Sequence, residues 1–191
     1  MHSQKTNMKV LEQRTMKTDS HASVKTAVIT QGALTIALIF VSFLLFRGAV
    51  NILNAFFVPM ALYFYSFGKK TGEIIAVDSV LILFCAFFFQ MQIVFIVVYC
   101  LIAYVLKLLN DIPVHPALAS LLLTIGVSLS FWTGIMLTDL FFGTRVNTIM
   151  MDLLHGSVLA YIILMLIEGA LVGGSLLLLS RKLRGSSSRR L

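Results

Sequence analysis

The sequence predicts an all-α integral membrane protein with six transmembrane helices and both ends on the cytoplasmic side. Three observations carry this reading. Hydrophobic residues make up 59% of the 191-residue chain and charged residues only 12%, against about 45–50% and roughly 25% in soluble domains. A soluble fold of this length leaves too much of its surface wet to hide so many apolar side chains. The apolar residues fall into six long runs separated by short polar breaks, and the basic residues crowd toward the two ends: of 15 Lys and Arg, 5 precede residue 27 and 5 follow residue 180. No run alternates apolar with polar residues as barrel strands do.

A helix needs about 20 apolar residues to cross the hydrocarbon core, with a range of about 17–25. Residues 1–26 are polar and mixed in charge, with no short apolar core ending in a small-residue cleavage site. They read as a cytoplasmic tail rather than a signal peptide, so the first apolar run, 27–46, is expected to stay as a helix. Arg47 and Gly48 separate it from the second run, 50–67. One helix over 27–67 would be roughly 60 Å long at ~1.5 Å per residue, about twice the hydrocarbon thickness, so the chain must fold back. Gly68, Lys69, Lys70, Thr71 and Gly72 end the second run. The third, 74–89, is short, and Gln90-Met91-Gln92 is the only break before the fourth, 93–109. The same length argument makes 74–109 a hairpin. Asn110, Asp111, Pro113 and Pro116 interrupt the chain again, because proline removes a donor and disfavours helix before it. The fifth run is 117–142. Gly143, Thr144 and Arg145 open a loop, and the sixth run extends from about 153 to 179. The predicted organisation is a polar tail (1–26), a six-helix membrane domain (27–180) and a basic Ser-rich cytoplasmic tail (181–191).

Charge sets the orientation, because Lys and Arg accumulate on the cytoplasmic side. With the N-terminus inside, 13 of the 15 basic residues fall on the inner side, and only Arg47 and Arg145 fall outside. The net charge of +7 does not point to nucleic acid, since the basic residues flank apolar helices and fit contact with anionic lipid headgroups.

Charges within the spans are costly and mark candidate sites. Asp78 falls in the third helix and Glu168 near the middle of the sixth. Each reads as a contact pinning helix packing, as part of a ligand or partner site, or as a protonated, silent acid. Lys107, at the inner end of the fourth helix, has a stem long enough to reach water. A second polar group gathers at the expected outer face: Arg47, Asn51 and Asn54 at the first turn, Gln90 and Gln92 at the second, and Asp139, Arg145, Asn147, Asp152 and His155 around the third. Trp132 and Tyr161 lie deeper, where rings line cavities. These residues read either as ordinary interfacial polarity or as a small-molecule site, for which Asn51, Asn54, Trp132, Asp139, Arg145, Asp152 and His155 are the candidates. Cys85 and Cys100 match no metal or redox spacing and read as small buried residues. The four histidines show no metal-ligand spacing, so no metal and no cofactor are expected. No Walker lysine motif, HExxH or GxSxG is present, and no enzymatic activity is expected.

Small residues mark close helix contacts. Ala33 and Ala37 form a small-xxx-small pair in the first helix. Gly126, Ser130 and Gly134 recur at intervals of four in the fifth. Gly169 and Gly173 do so in the sixth, followed directly by Gly174, and internal packing is the favoured reading for the last two helices.

The layout resembles the S components of energy-coupling factor (ECF) transporters, small six-helix membrane proteins that capture a micronutrient. Ala33-xxx-Ala37 is similar to the patch by which S components dock on a transmembrane coupling subunit. Phe67-Gly68-Lys69-Lys70-Thr71-Gly72 looks like the G-P-K-x-G turn common in that family, with Lys69 in place of proline. The resemblance implies a solute-binding subunit in a bacterial cytoplasmic membrane, partnered by a coupling subunit and by cytoplasmic ABC ATPases that supply the energy. The chain is also similar to the rod-shape subunit MreD, which implies a membrane scaffold without a small ligand.

Overall fold

The computed structural model describes residues 26–46 and 52–187. Residues 1–25 of the predicted N-terminal tail, Arg47, Asn51 and residues 188–191 lie outside them, while the first part of the predicted C-terminal tail, 181–187, continues the last helix. Seven α-helices follow in order: α1 (Thr26–Leu45), α2 (Ile52–Tyr65), α3 (Thr71–Phe88), α4 (Ile93–Asp111), α5 (Pro116–Phe142), α6 (Val146–Leu153) and α7 (Val158–Ser187). No strand occurs among the described residues. Five helices (α1, α3, α4, α5 and α7) are long and apolar enough to cross a membrane. Their outer faces are apolar as well: Leu45, Phe87, Leu140 and Leu178 are each more than 70% exposed. A water-soluble surface does not carry apolar area on that scale; a lipid-facing one does. These features mark a multi-pass membrane protein.

Side-chain contacts give the direction of each helix. Phe40 of α1 packs edge-on against Phe84 and Phe88 of α3, and Gly32 meets Val77. Both positions rise together along the chain, so α1 and α3 run parallel. The helix between them must return. Accordingly, the Asn54 side-chain amide donates to the Phe46 carbonyl at one end of α2, and Tyr65 lies beside Gly32 at the other. The Asp78 carboxylate faces the Cys100 thiol across the α3–α4 hairpin. Gly134 of α5 abuts the Phe95 ring of α4, and the Asn110 amide donates to the Ser180 hydroxyl from α4 to α7. The result is an up-down bundle whose connections gather at two opposite ends.

The tightest seam joins α5 and α7. A methyl group built on Gly169 would lie 2.0 Å from Ser128 Oγ and 2.6 Å from the Thr124 carbonyl; on Gly173 it would lie 3.3 Å from the Leu123 backbone. Removing the side chains lets the two backbones touch, and the Ser128 hydroxyl, which lies 2.9 Å from both the Thr124 and Met165 carbonyls, can bridge the seam. The internal-packing reading therefore holds for Gly169, Gly173 and Gly134. Gly126 and Gly174 have open space where a Cβ would go.

Two elements differ from the sequence expectation. The second helix ends at Tyr65, two residues before the end of the expected 50–67 run. Its described part, from Ile52, is about 21 Å long and is among the most enclosed elements, with Ala55, Val58, Leu62 and Tyr63 nearly inaccessible. The third connection is not a plain loop. It contains α6, which lies ahead of the last helix, and α7 begins at Val158 rather than near residue 153.

Candidate functional site

Three connections meet at one end of the bundle: Phe46 before α2, the 3-10 turn Gln90–Gln92, and the segment from Gly143 through α6 to Ser157. Phe43 and Phe89 stack at 5.5 Å where the first two meet. In charge terms this is the expected outer end. α6 lies over it as a short amphipathic helix, with Val146, Met150, Met151 and Leu154 turned toward the core.

Asp139 organises this cap. Its Oδ1 accepts from the Thr144 hydroxyl and from the Val146 N–H at 2.9 Å, and its Oδ2 accepts from the Asn147 N–H at 2.8 Å. The carboxylate thus satisfies the opening donors of α6 from α5, a capping role displaced onto a neighbouring helix, and negative charge suits a helix N-terminus. Gly143 makes the intervening turn possible through its positive φ of 63°, which costs glycine nothing. α6 ends in a Schellman motif: the Gly156 N–H donates to the Met151 carbonyl at 2.9 Å and the His155 N–H to the Asp152 carbonyl at 3.0 Å. His155 occupies the left-handed position with φ 53°, where L-residues other than Asn, Asp and His are rare.

The sequence candidates therefore divide. Asn54 is buried within the bundle. Asp139 is half-buried and committed to α6. Arg145, Asp152 and His155 are exposed around α6 and do not converge on an interior space. Trp132 is 42% exposed on the outward face of α5, so its ring faces lipid rather than a cavity, whereas Tyr161 is buried. Asn51 lies outside the described residues. Ala33 and Ala37 face outward from α1, and the residue that meets the rest of the bundle is Gly32, one position earlier. Of the two intramembrane acids, Asp78 sits against Cys100, and Glu168 lies within electrostatic reach of Tyr99 and Tyr161.

What remains inside this end of the bundle is a set of orphaned oxygens. Asn54 Oδ1, Asn147 Oδ1 and the Tyr161 hydroxyl are buried with no hydrogen-bond partner. They belong to the first turns of α2, α6 and α7. A buried polar atom left unpaired costs about 1–3 kcal/mol, and most such atoms in folded proteins have a partner. Asn147 and Tyr161 were legible only as members of a broad polar cluster. Their distinguishing property is burial, which spacing does not reveal. No group of three or more His, Cys, Asp or Glu able to hold a metal occurs among the described residues. No protein-family model matches this chain, and no curated protein or solved structure does.

Proposed function

We propose that this chain is the solute-binding membrane subunit of a multi-component uptake transporter, similar to an S component, in a bacterial cytoplasmic membrane. In this reading α2 makes a sixth, shortened crossing and both termini are cytoplasmic. The antiparallel course of α2 beside α1 and the inner-side excess of Lys and Arg support that topology. The observation that carries the functional reading is the set of unpaired buried oxygens on Asn54, Asn147 and Tyr161, in the first turns of α2, α6 and α7 at one end of the bundle. A small polar solute with donors to offer them would recover the cost of their desolvation. α6, held by Asp139, would cover the solute. A coupling subunit would dock on the outward Ala33–Ala37 face of α1, with ABC ATPases supplying energy from the cytoplasm.

The test is a thermal-shift screen of the purified protein against water-soluble vitamins and related micronutrients, followed by Tyr161→Phe. This variant removes an orphaned hydroxyl, so the ligand-free protein should be as stable as the wild type or slightly more so, while the solute-induced shift disappears. If no solute shifts the wild type and no coupling subunit co-purifies with it, the transporter reading is lost.

One observation favours a second reading, an MreD-like scaffold without a small ligand. The most polar of the outer candidates, Asp139, is engaged in holding α6, and Arg145, Asp152 and His155 face outward, as protein-contact residues would. A scaffold predicts stable protein partners, an envelope or shape defect on depletion, and indifference to Asn54→Leu.

A further inference from the structure

The opposite end of the bundle carries a feature that the solute reading does not use. A cavity of about 330 Å³ opens among Tyr63, Ser66, Phe67, Lys69, Lys107 and Asp111. Lys69 comes from the α2–α3 turn and Lys107 from the last turns of α4, and both are half-buried. Two ammonium groups and one carboxylate give the lining a formal charge of +1. Directly beside it, with Phe67 common to both, runs an apolar groove of about 680 Å³ between α1 and α2, walled by Leu34, Leu38, Phe57, Met60 and Phe64. Its size is within the range of small-molecule sites, and it opens toward the lipid-facing surface. The turn after α2 brings the polar cavity and the apolar groove together, because Phe67 lines both, just beyond the point where Tyr65 at the end of α2 meets Gly32 of α1.

We propose that this composite site binds an anionic phospholipid, with its phosphodiester headgroup between Lys69 and Lys107 and an acyl chain in the α1–α2 groove. A single negative charge matches the +1 lining. A zwitterionic headgroup also brings an ammonium group, which two lysines repel. Basic pockets between membrane helices on the cytoplasmic side are suited to such headgroups. The occupant is a lipid rather than a free phosphate because the apolar groove adjoins the charged cavity. Nothing in this assignment depends on the outer-end solute.

The test is native mass spectrometry of the full-length protein in neutral detergent with equimolar phosphatidylglycerol and phosphatidylcholine of the same chain length. The wild type should retain phosphatidylglycerol preferentially, by a factor on the order of five per lysine. Lys69→Gln with Lys107→Gln should bring the ratio close to one. Asp111→Asn should move it the other way, so a gain in selectivity tests the site even if the double variant folds poorly. Leu38→Trp, which fills the groove, should lower retention of both lipids. Equal retention of the two lipids by the wild type would overturn the proposal. So would a ratio unchanged in the double variant, or displacement of phosphatidylglycerol by glycerol phosphate at equal concentration, which would mark a free-anion site instead.

Discussion

Two small-residue pairs look alike in the sequence and have opposite fates in the fold. Gly169 and Gly173 of α7 are pressed against the α5 backbone: Gly169 has no room for an added carbon, and Gly173 would hold one only in a tight 3.3 Å contact. Ala33 and Ala37 of α1 face away from the bundle. Small-xxx-small spacing lets a second helix approach closely, but it does not say whether that helix belongs to the same chain. The α7 pair is consumed by the fold. The α1 pair remains on the surface, where only something outside the chain can use it.

The sharpest way to break this comparison is to add bulk at the consumed pair. Gly169→Leu should destabilise the purified protein by about 3 kcal/mol or more, since overpacking a close contact typically costs about 1–3 kcal/mol and occasionally more, and here both Ser128 Oγ and a backbone carbonyl stand in the way. Chemical unfolding in detergent reads the effect. A Gly169→Leu variant as stable as the wild type would mean that α5 and α7 do not meet as described.

The next effect separates packing from capping. Asp139→Ala should cost about 1–2 kcal/mol, the usual range for losing a helix cap, because the Thr144 hydroxyl and two backbone donors lose their acceptor together. The damage should be local. Limited proteolysis should cut within residues 143–157 while the α5–α7 seam stays intact. Cleavage spread evenly over the bundle would show that α6 is not a separable cap. A smaller effect of opposite sign is expected at the other end of α6. His155→Gly relieves a left-handed residue and should leave stability unchanged or raise it by up to about 1 kcal/mol. If His155 instead contacted a bound solute, the same change would abolish the ligand-induced shift in melting temperature.

The ease of reading differed along the chain for physical reasons. The five long helices were legible because lipid demands about 20 apolar residues in a row and proline and glycine punctuate them plainly. α6 was not, because it is only eight residues long and its capping acceptor, Asp139, sits on the preceding helix, seven residues before Val146. No Ser, Thr, Asp or Asn stands directly before it, since its N-cap is Arg145. The early end of α2 was hidden because its apolar run extends to Phe67, while the backbone turns at Gly68 with φ 66°. The residue by which α1 packs inward, Gly32, stands one position before the Ala33 singled out as part of an outward docking patch. In a helix that is apolar all round, composition cannot distinguish Gly32 from Ala33, and only the contact with Val77 and Tyr65 does. At the site, residue types drew attention to charge, whereas the features that stand out are buried neutral oxygens.

The smallest stability effect is the most informative. Ala33→Leu with Ala37→Leu should change unfolding of the isolated protein by less than about 0.5 kcal/mol, as for surface substitutions away from any packed feature. Leucine is at home in lipid, and both side chains would project away from the bundle. If α1 carries the docking face of a coupling subunit, the same double variant should lose co-purification of that partner, because two leucines would hold the helices apart. The contrast with Gly169→Leu then becomes a two-by-two result: stability lost at one pair and assembly lost at the other. A double variant that unfolds as Gly169→Leu does would place the α1 pair inside the fold after all. One that keeps both its stability and every partner would leave the outward alanines as plain lipid-facing residues and remove the docking role from α1.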